Sequence, residues 1–199
     1  GFNVDQVAKI SAAAFSGFNM NHMANMSTDA VAGFGKDQMA GMDKGAVAGF
    51  GKNQMAGMSA AAFSGFNRDH MTNMSTDAVA GFGKDQMASM DKGAVAGFGK
   101  DHMANLKTDA VAGFNKDHIA NIDKGAVAGF GKNQMAGMSA AAFSGFNKDH
   151  MTNMSTDAVA GFGKDQMAGM DKGAVAGFGK NQVAGMSAAA FSGFNKDHM

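Results

Sequence analysis

The chain has 199 residues, 17 basic and 17 acidic side chains, and therefore a formal net charge of zero with histidine neutral. Neutrality removes the electrostatic basis for binding nucleic acid or an anionic membrane. The absence of cysteine removes disulfide and thiolate chemistry. Ala, Gly, Met and Phe dominate, while Pro, Cys, Trp, Tyr and Glu do not occur. Copying of a short unit produces such a composition, and an ordinary enzyme of this length rarely shows it. No run of about 18 apolar residues marks a membrane span.

In chain order, Gly-Phe pairs start at residues 1, 17, 33, 49, 65, 81, 97, 113, 129, 145, 161, 177 and 193, a period of 16 without insertion or deletion. Each 16 divides into two octads. Odd octads read like Gly33-Phe-Gly-Lys-Asp-Gln-Met-Ala40, and even octads like Gly41-Met-Asp-Lys-Gly-Ala-Val-Ala48. There are 24 complete octads and seven residues of a 25th. Residues 49–104 and 129–184 differ at five of 56 positions, so whole 16-residue blocks have been duplicated. The array spans 1–199 as one uninterrupted unit and runs into both termini, which leads to the expectation of a segment from a longer repeat protein.

Octad positions 2 and 7 are apolar in all 25 units and define the expected core. Position 3 carries Ser, Asn, Asp or Gly except at Lys107, a row of helix N-caps. Position 4 holds 15 of the 17 basic residues and position 5 holds 13 of the 17 Asp residues, the latter in the first turn, where the helix dipole favours a negative charge. Position 1 is Gly or Asn except at Lys9 and Ser89, and is expected to end each helix in the left-handed conformation. The prediction is a helix over positions 3 to 8 of every octad, followed by a turn through the buried position-2 residue. A continuous helix fails, because Gly in nearly every octad costs about 1 kcal/mol relative to Ala and the apolar spacing of five then three drifts around a straight helix.

The expected fold class is therefore all-α: a solenoid, or superhelix, of very short helices, one per octad and two octads per 16-residue repeat. Helices this short are unstable alone, so stacking must stabilise them, with Phe at every sixteenth residue stacked along the interior. A β-solenoid of 16-residue coils is the rival; few β-branched residues and many Ala, Met, Lys and Gln oppose it.

The octad resembles the bacterial surface-protein repeats that run Leu-Thr-Pro-Glu-Gln-Val-Ala-Ala. Phe34-Gly-Lys-Asp-Gln-Met-Ala-Gly41 and Met26-Ser-Thr-Asp-Ala-Val-Ala-Gly33 follow the same order: apolar, cap, variable, acidic, then an apolar and two small residues. The likeness covers the whole chain but lacks the Pro and Glu of that motif. It implies a secreted or cell-surface structural role and carries over no catalytic residue.

Three rows of side chains offer chemistry. Of 20 Met residues, 19 lie at positions 2 or 7; soft-metal ligation is one reading and flexible core filling the other. His22, His70, His102, His118, His150 and His198 all occupy position 6 of odd octads, where Gln is the alternative. Each complete His octad is followed by Asn (Asn25, Asn73, Asn105, Asn121, Asn153), and no Gln octad is. A paired C-terminal cap, with His reaching free carbonyls of the last turn, accounts for this without a metal or haem. The Lys and Asp rows form a solvated lattice of weak ion pairs. Nothing in the pattern resembles a triad, a carboxylate pair, a phosphate loop or a zinc site. The expectation is no catalytic, cofactor-binding or metal residue, no cofactor and no enzyme. The chain is read as a structural rod, stalk or filament, extracellular or on a cell surface, self-associating head to tail, without nucleic acid or membrane insertion. The alternative is a repetitive ligand-binding array for haem, metal, glycan or ice.

Overall fold

The computed structural model describes residues 1–198. Within them the chain is a run of short helices with no strand, one helix per octad, wound as a solenoid. Odd octads form helices of five or six residues, such as Lys36–Ala40 and Lys84–Ser89, except the last, which forms a three-residue 3-10 turn at Lys196–His198. Even octads form four-residue helices, such as Thr76–Val79. In two even octads the turn tightens to a 3-10 helix, Ala46–Gly49 and Ala126–Gly129. Position 3 is the N-cap of every α-helix, as the cap row predicts, whereas the 3-10 turns at Ala46–Gly49 and Ala126–Gly129 start after Gly45 and Gly125 at position 5. Ser75 accepts the Ala78 N–H at 3.1 Å, and Asn67 accepts that of His70 at 3.0 Å. Position 2 is extended and carries the chain inward, for example Met90 at φ −67, ψ 142.

Glycine at position 1 works differently from the expectation. No glycine among the described residues has positive φ, so left-handed helix ends are absent there. The reason for Gly is close approach. From Gly33 onward, the position-1 glycine of each odd octad lies against the backbone of position 4 four octads earlier, and a Cβ would overlap a carbonyl oxygen. At Gly81 that oxygen belongs to Lys52, at Gly97 to Arg68 and at Gly161 to Lys132. Even octads are roomier but not uniformly so: a Cβ on Gly57 would come no nearer than 3.4 Å to the Thr28 carbonyl, whereas one on Gly41 would lie 2.7 Å from the Ala12 carbonyl oxygen and one on Gly137 2.7 Å from the Thr108 methyl. The residues follow the space. Every odd octad begins with Gly, whereas even ones begin with Gly, Asn, Ser or Lys.

Helices stack at one spacing. Each packs on the helix three octads further on, as Lys84–Ser89 does on Thr108–Val111, and helices approach within 8 Å (Cα–Cα) at no other spacing among the described residues. Hydrogen bonds between coils join residues 25, 28 and 31 apart. One coil of the solenoid therefore takes between three and four octads. Three being odd, every helix-on-helix contact sets an odd octad against an even one.

Positions 2 and 7 fill the interior. Met55, Phe63, Val79 and Met87 are fully buried. The core also contains a third row, Ala at position 6 of even octads, 0–2 % exposed from Ala30 to Ala190. Phe residues 16 apart meet edge-on in some places, such as Phe34–Phe50 at 6.0 Å and Phe82–Phe98 at 6.2 Å between ring centroids. Elsewhere the position-7 Phe of a Ser-Ala-Ala-Ala-Phe octad bridges them, as Phe63 does between Phe66 and Phe82. The expected continuous Phe stack is thus broken into clusters of mostly T-shaped pairs, a geometry that ring quadrupoles favour, with Phe15–Phe18 stacked and Phe191–Phe194 tilted.

Candidate functional site

Position 6 of the odd octads is where one coil is fastened to the next. Its backbone N–H lies third in the helix, so its side chain can reach back to the N-cap backbone, forming the return half of a capping box. Gln86 does this: Oε1 accepts the Gly83 N–H at 2.8 Å. Its Nε2 then points across to the previous coil and donates to two carbonyls, Met55 at 2.8 Å and Met58 at 2.6 Å. Gln38, Gln54, Gln134, Gln166 and Gln182 repeat the arrangement. Each is 7–8 % exposed. A buried amide with its acceptor and both donors satisfied ties two coils and one helix start together, and an unmade bond there costs about 1–3 kcal/mol.

Histidine performs the same task with a different atom count. His70 Nδ1 accepts the Asn67 N–H at 3.3 Å and Nε2 faces the Met42 carbonyl at 2.9 Å. His118 pairs with Asn115 and Met90, and His150 with Asn147 and Ile122, at similar distances. A backbone N–H can only donate and a carbonyl can only accept. These partners therefore fix the neutral tautomer, with the proton on Nε2. Each ring also meets the Phe of its own octad edge-on, as His70 meets Phe66 at 5.9 Å. Burial pushes the His150 imidazole below the ordinary histidine range; its bond to the Ile122 carbonyl and the nearby Asp149 and Asp123 oppose that shift.

The paired-cap expectation is half right. Asn73 Nδ2 does donate to the Asp69 carbonyl at 2.8 Å, closing the helix end, and Asn25, Asn105, Asn121 and Asn153 do the same. The histidines are not C-caps: they close the start of their own helix, and all but His22 reach into another coil. Position 6 of the odd octads is read from the sequence as a helix cap, which does not reveal its burial against another coil. The available signal was its partner row, Ala in all 12 even octads.

Two further contacts cross coils. Ser75 Oγ donates to the Phe50 carbonyl at 3.4 Å. Asp77, Asp109 and Asp157 each accept the backbone N–H of a Lys at a helix start in the neighbouring coil, Lys132 to Asp157 at 3.1 Å. So part of the position-5 Asp row serves helix starts on an adjacent coil. The described methionines sit in the core apart from the exposed Met20; Met199 lies outside the described residues. The described residues contain no cluster of three or more His or Asp able to hold a metal, and no helix long and apolar enough to cross a membrane. No protein-family model, curated protein or solved structure matches the chain.

Proposed function

We propose that this chain is a structural segment, a rod, stalk or filament working outside the cell or on its surface, and not an enzyme. The observation that carries the reading is the uniformity of the coil-to-coil fastening. The position-6 clamp and the close glycine contact recur along the array, and the polar groups they use are spent on joining coils. An array built this way extends by adding coils, with nearest-neighbour contacts setting its stability. The extracellular placement rests on the resemblance to bacterial surface repeats; cleavage by protease added to intact cells of the source tests it.

Head-to-tail association belongs to the same reading. The surfaces that join coils inside the array are uncovered at the ends of these 199 residues. Phe2, Val4 and Met20 at one end and Phe191 at the other are 39–50 % exposed. The Nε2 atoms of Gln6 and His22 face no carbonyl among the described residues. A second copy offers the matching groups in a contact that does not close on itself, which is how fibres grow. Light scattering across a concentration series should show end-to-end growth of the 199-residue chain, reduced by Phe2→Asp with Met20→Asp. A monodisperse monomer at high concentration would count against it.

A further inference from the structure

The choice between Gln and His at position 6 follows the octad three places earlier, onto which the clamp donates. Four even octads are of the Asp-Lys-Gly type, residues 41–48, 89–96, 121–128 and 169–176. Each is clamped by a histidine: His70 on Met42, His118 on Met90, His150 on Ile122 and His198 on Met170. The Ser-Ala-Ala-Ala-Phe octads at 9–16, 57–64 and 137–144 are each clamped by glutamine: Gln38, Gln86 and Gln166. Thr-Asp-Ala-Val octads take either, with His102 on Met74 but Gln182 on Met154. So the array contains two kinds of seam in a defined order.

The two differ in one chemical respect. A glutamine amide neither gains nor loses a proton between about pH 4 and 8, whereas imidazole titrates in that range. In His70, His118 and His150 the only site for a second proton is Nδ1. That atom already accepts a backbone N–H at 3.3–3.4 Å in a ring 1–2 % exposed. A proton there sets two donors against each other and leaves a buried cation.

Charges of both signs surround the clamps, and at His150 Asp149 and Asp123 offset part of the effect of burial. The helix of His70 carries Arg68 and Asp69, the octad beneath it Asp43 and Lys44, and the octad above it Asp91 and Lys92. His118 has Lys116 and Asp117 on its own helix and Asp91 and Lys92 beneath, with the uncharged Ala140–Phe143 helix above. His150 has Lys148 and Asp149, then Asp123 and Lys124 beneath and Asp171 and Lys172 above. Each packed element that carries charge carries both signs.

We propose that the His150 clamp is an acid-release seam: as pH falls through the histidine range, the solenoid parts first where residues 145–152 sit on the preceding coil, while glutamine-clamped coils hold. The proposal rests on clamp geometry and not on the structural role suggested above. For a buried imidazole kept neutral, the native contribution is complete above the unfolded value of about 6.5 and falls as pH drops below it. The open form of such a seam gains about tenfold for each pH unit below that value, until the folded form also binds the proton.

Hydrogen exchange of the intact chain at pH 7.5 and 5.5, corrected for intrinsic rates, reads this seam by seam. Exchange should rise by about tenfold at the helix start Asn147–His150, and stay level at Gly83–Gln86 and Gly163–Gln166. An equal response at both kinds of seam would overturn the proposal. His150→Gln replaces the imidazole with the amide already used at Gln134, and should remove the acid response at 145–152. If that variant folds at pH 7.5 and its 145–152 segment still responds to acid, the proposal fails; if it does not fold, an equal response of the His150, Gln86 and Gln166 seams in the intact chain overturns the proposal on its own.

Discussion

Odd and even octads share one wall of the solenoid but divide its work. Odd octads bring the glycine that lets coils close up and the clamp that fastens them, and their position-2 residue is always Phe. Even octads supply the shorter helix, the small Ala at position 6 and the position-2 carbonyl on which the clamp lands. The octad is thus the unit of local structure and the pair of octads the unit of packing. A spacing of three octads between stacked helices makes the two kinds meet at every contact.

Changing the pairing should have the largest effect. Deleting residues 81–88 sets like octads on like across the cut, so the position-2 carbonyls of the octads at 57–64 and 73–80 lose their donors. Each buried orphan costs roughly 1–3 kcal/mol, and the glycine contacts spanning the cut are lost as well. Deleting 81–96 keeps odd on even. Melting of the two variants should differ by more than 10 °C, with the shorter deletion the less stable; equal melting would mean that the alternation has no packing role.

The next comparison is a single methyl group. Gly97→Ala drives a Cβ onto the Arg68 carbonyl and should destabilise by about 1–3 kcal/mol. Gly57→Ala places its Cβ at ordinary contact distance, 3.4 Å from the Thr28 carbonyl, in the last turn of a helix at ordinary φ. It should stabilise by about 0.4–1 kcal/mol. Opposite signs in urea titrations are expected; a loss at both sites would mean that the roomier even position is not roomy.

The smallest effects lie at the caps. Ser75→Ala removes a cap bond and should cost about 1 kcal/mol. Lys107, which caps its helix with no side-chain bond, should gain a similar amount as Lys107→Ser. No gain there would mean that the cap row contributes nothing.

Much of this was readable from the amino acids. Positions 2, 3 and 7 announce core, cap and core, because burial and helix starts act within one octad. The coil length was not readable, since it depends on how the extended residue at position 2 redirects each helix, an angle that no residue type signals alone. Gly was misjudged for a related reason: its left-handed use is local, whereas its use here is to face a carbonyl about 29 residues away. Position 6 shows its cap role within one octad, but not the burial of Gln86 and His70 against another coil. Its correlation with the octad three places earlier was present in the sequence, but only a known stacking register says which octads to compare.

That register is the central claim, and disulfide trapping tests it on a chain with no cysteine of its own. Lys84 and Asp109, 25 residues apart, lie side by side, with the Lys84 backbone N–H 3.4 Å from the Asp109 carboxylate. Lys84 and Lys100, 16 apart, would be neighbours in a solenoid of 16-residue coils. With Lys84→Cys and Asp109→Cys the account predicts rapid, near-complete oxidation of the folded monomer, and little with Lys84→Cys and Lys100→Cys. Rapid closure of the 16-residue pair with none of the 25-residue pair would contradict it.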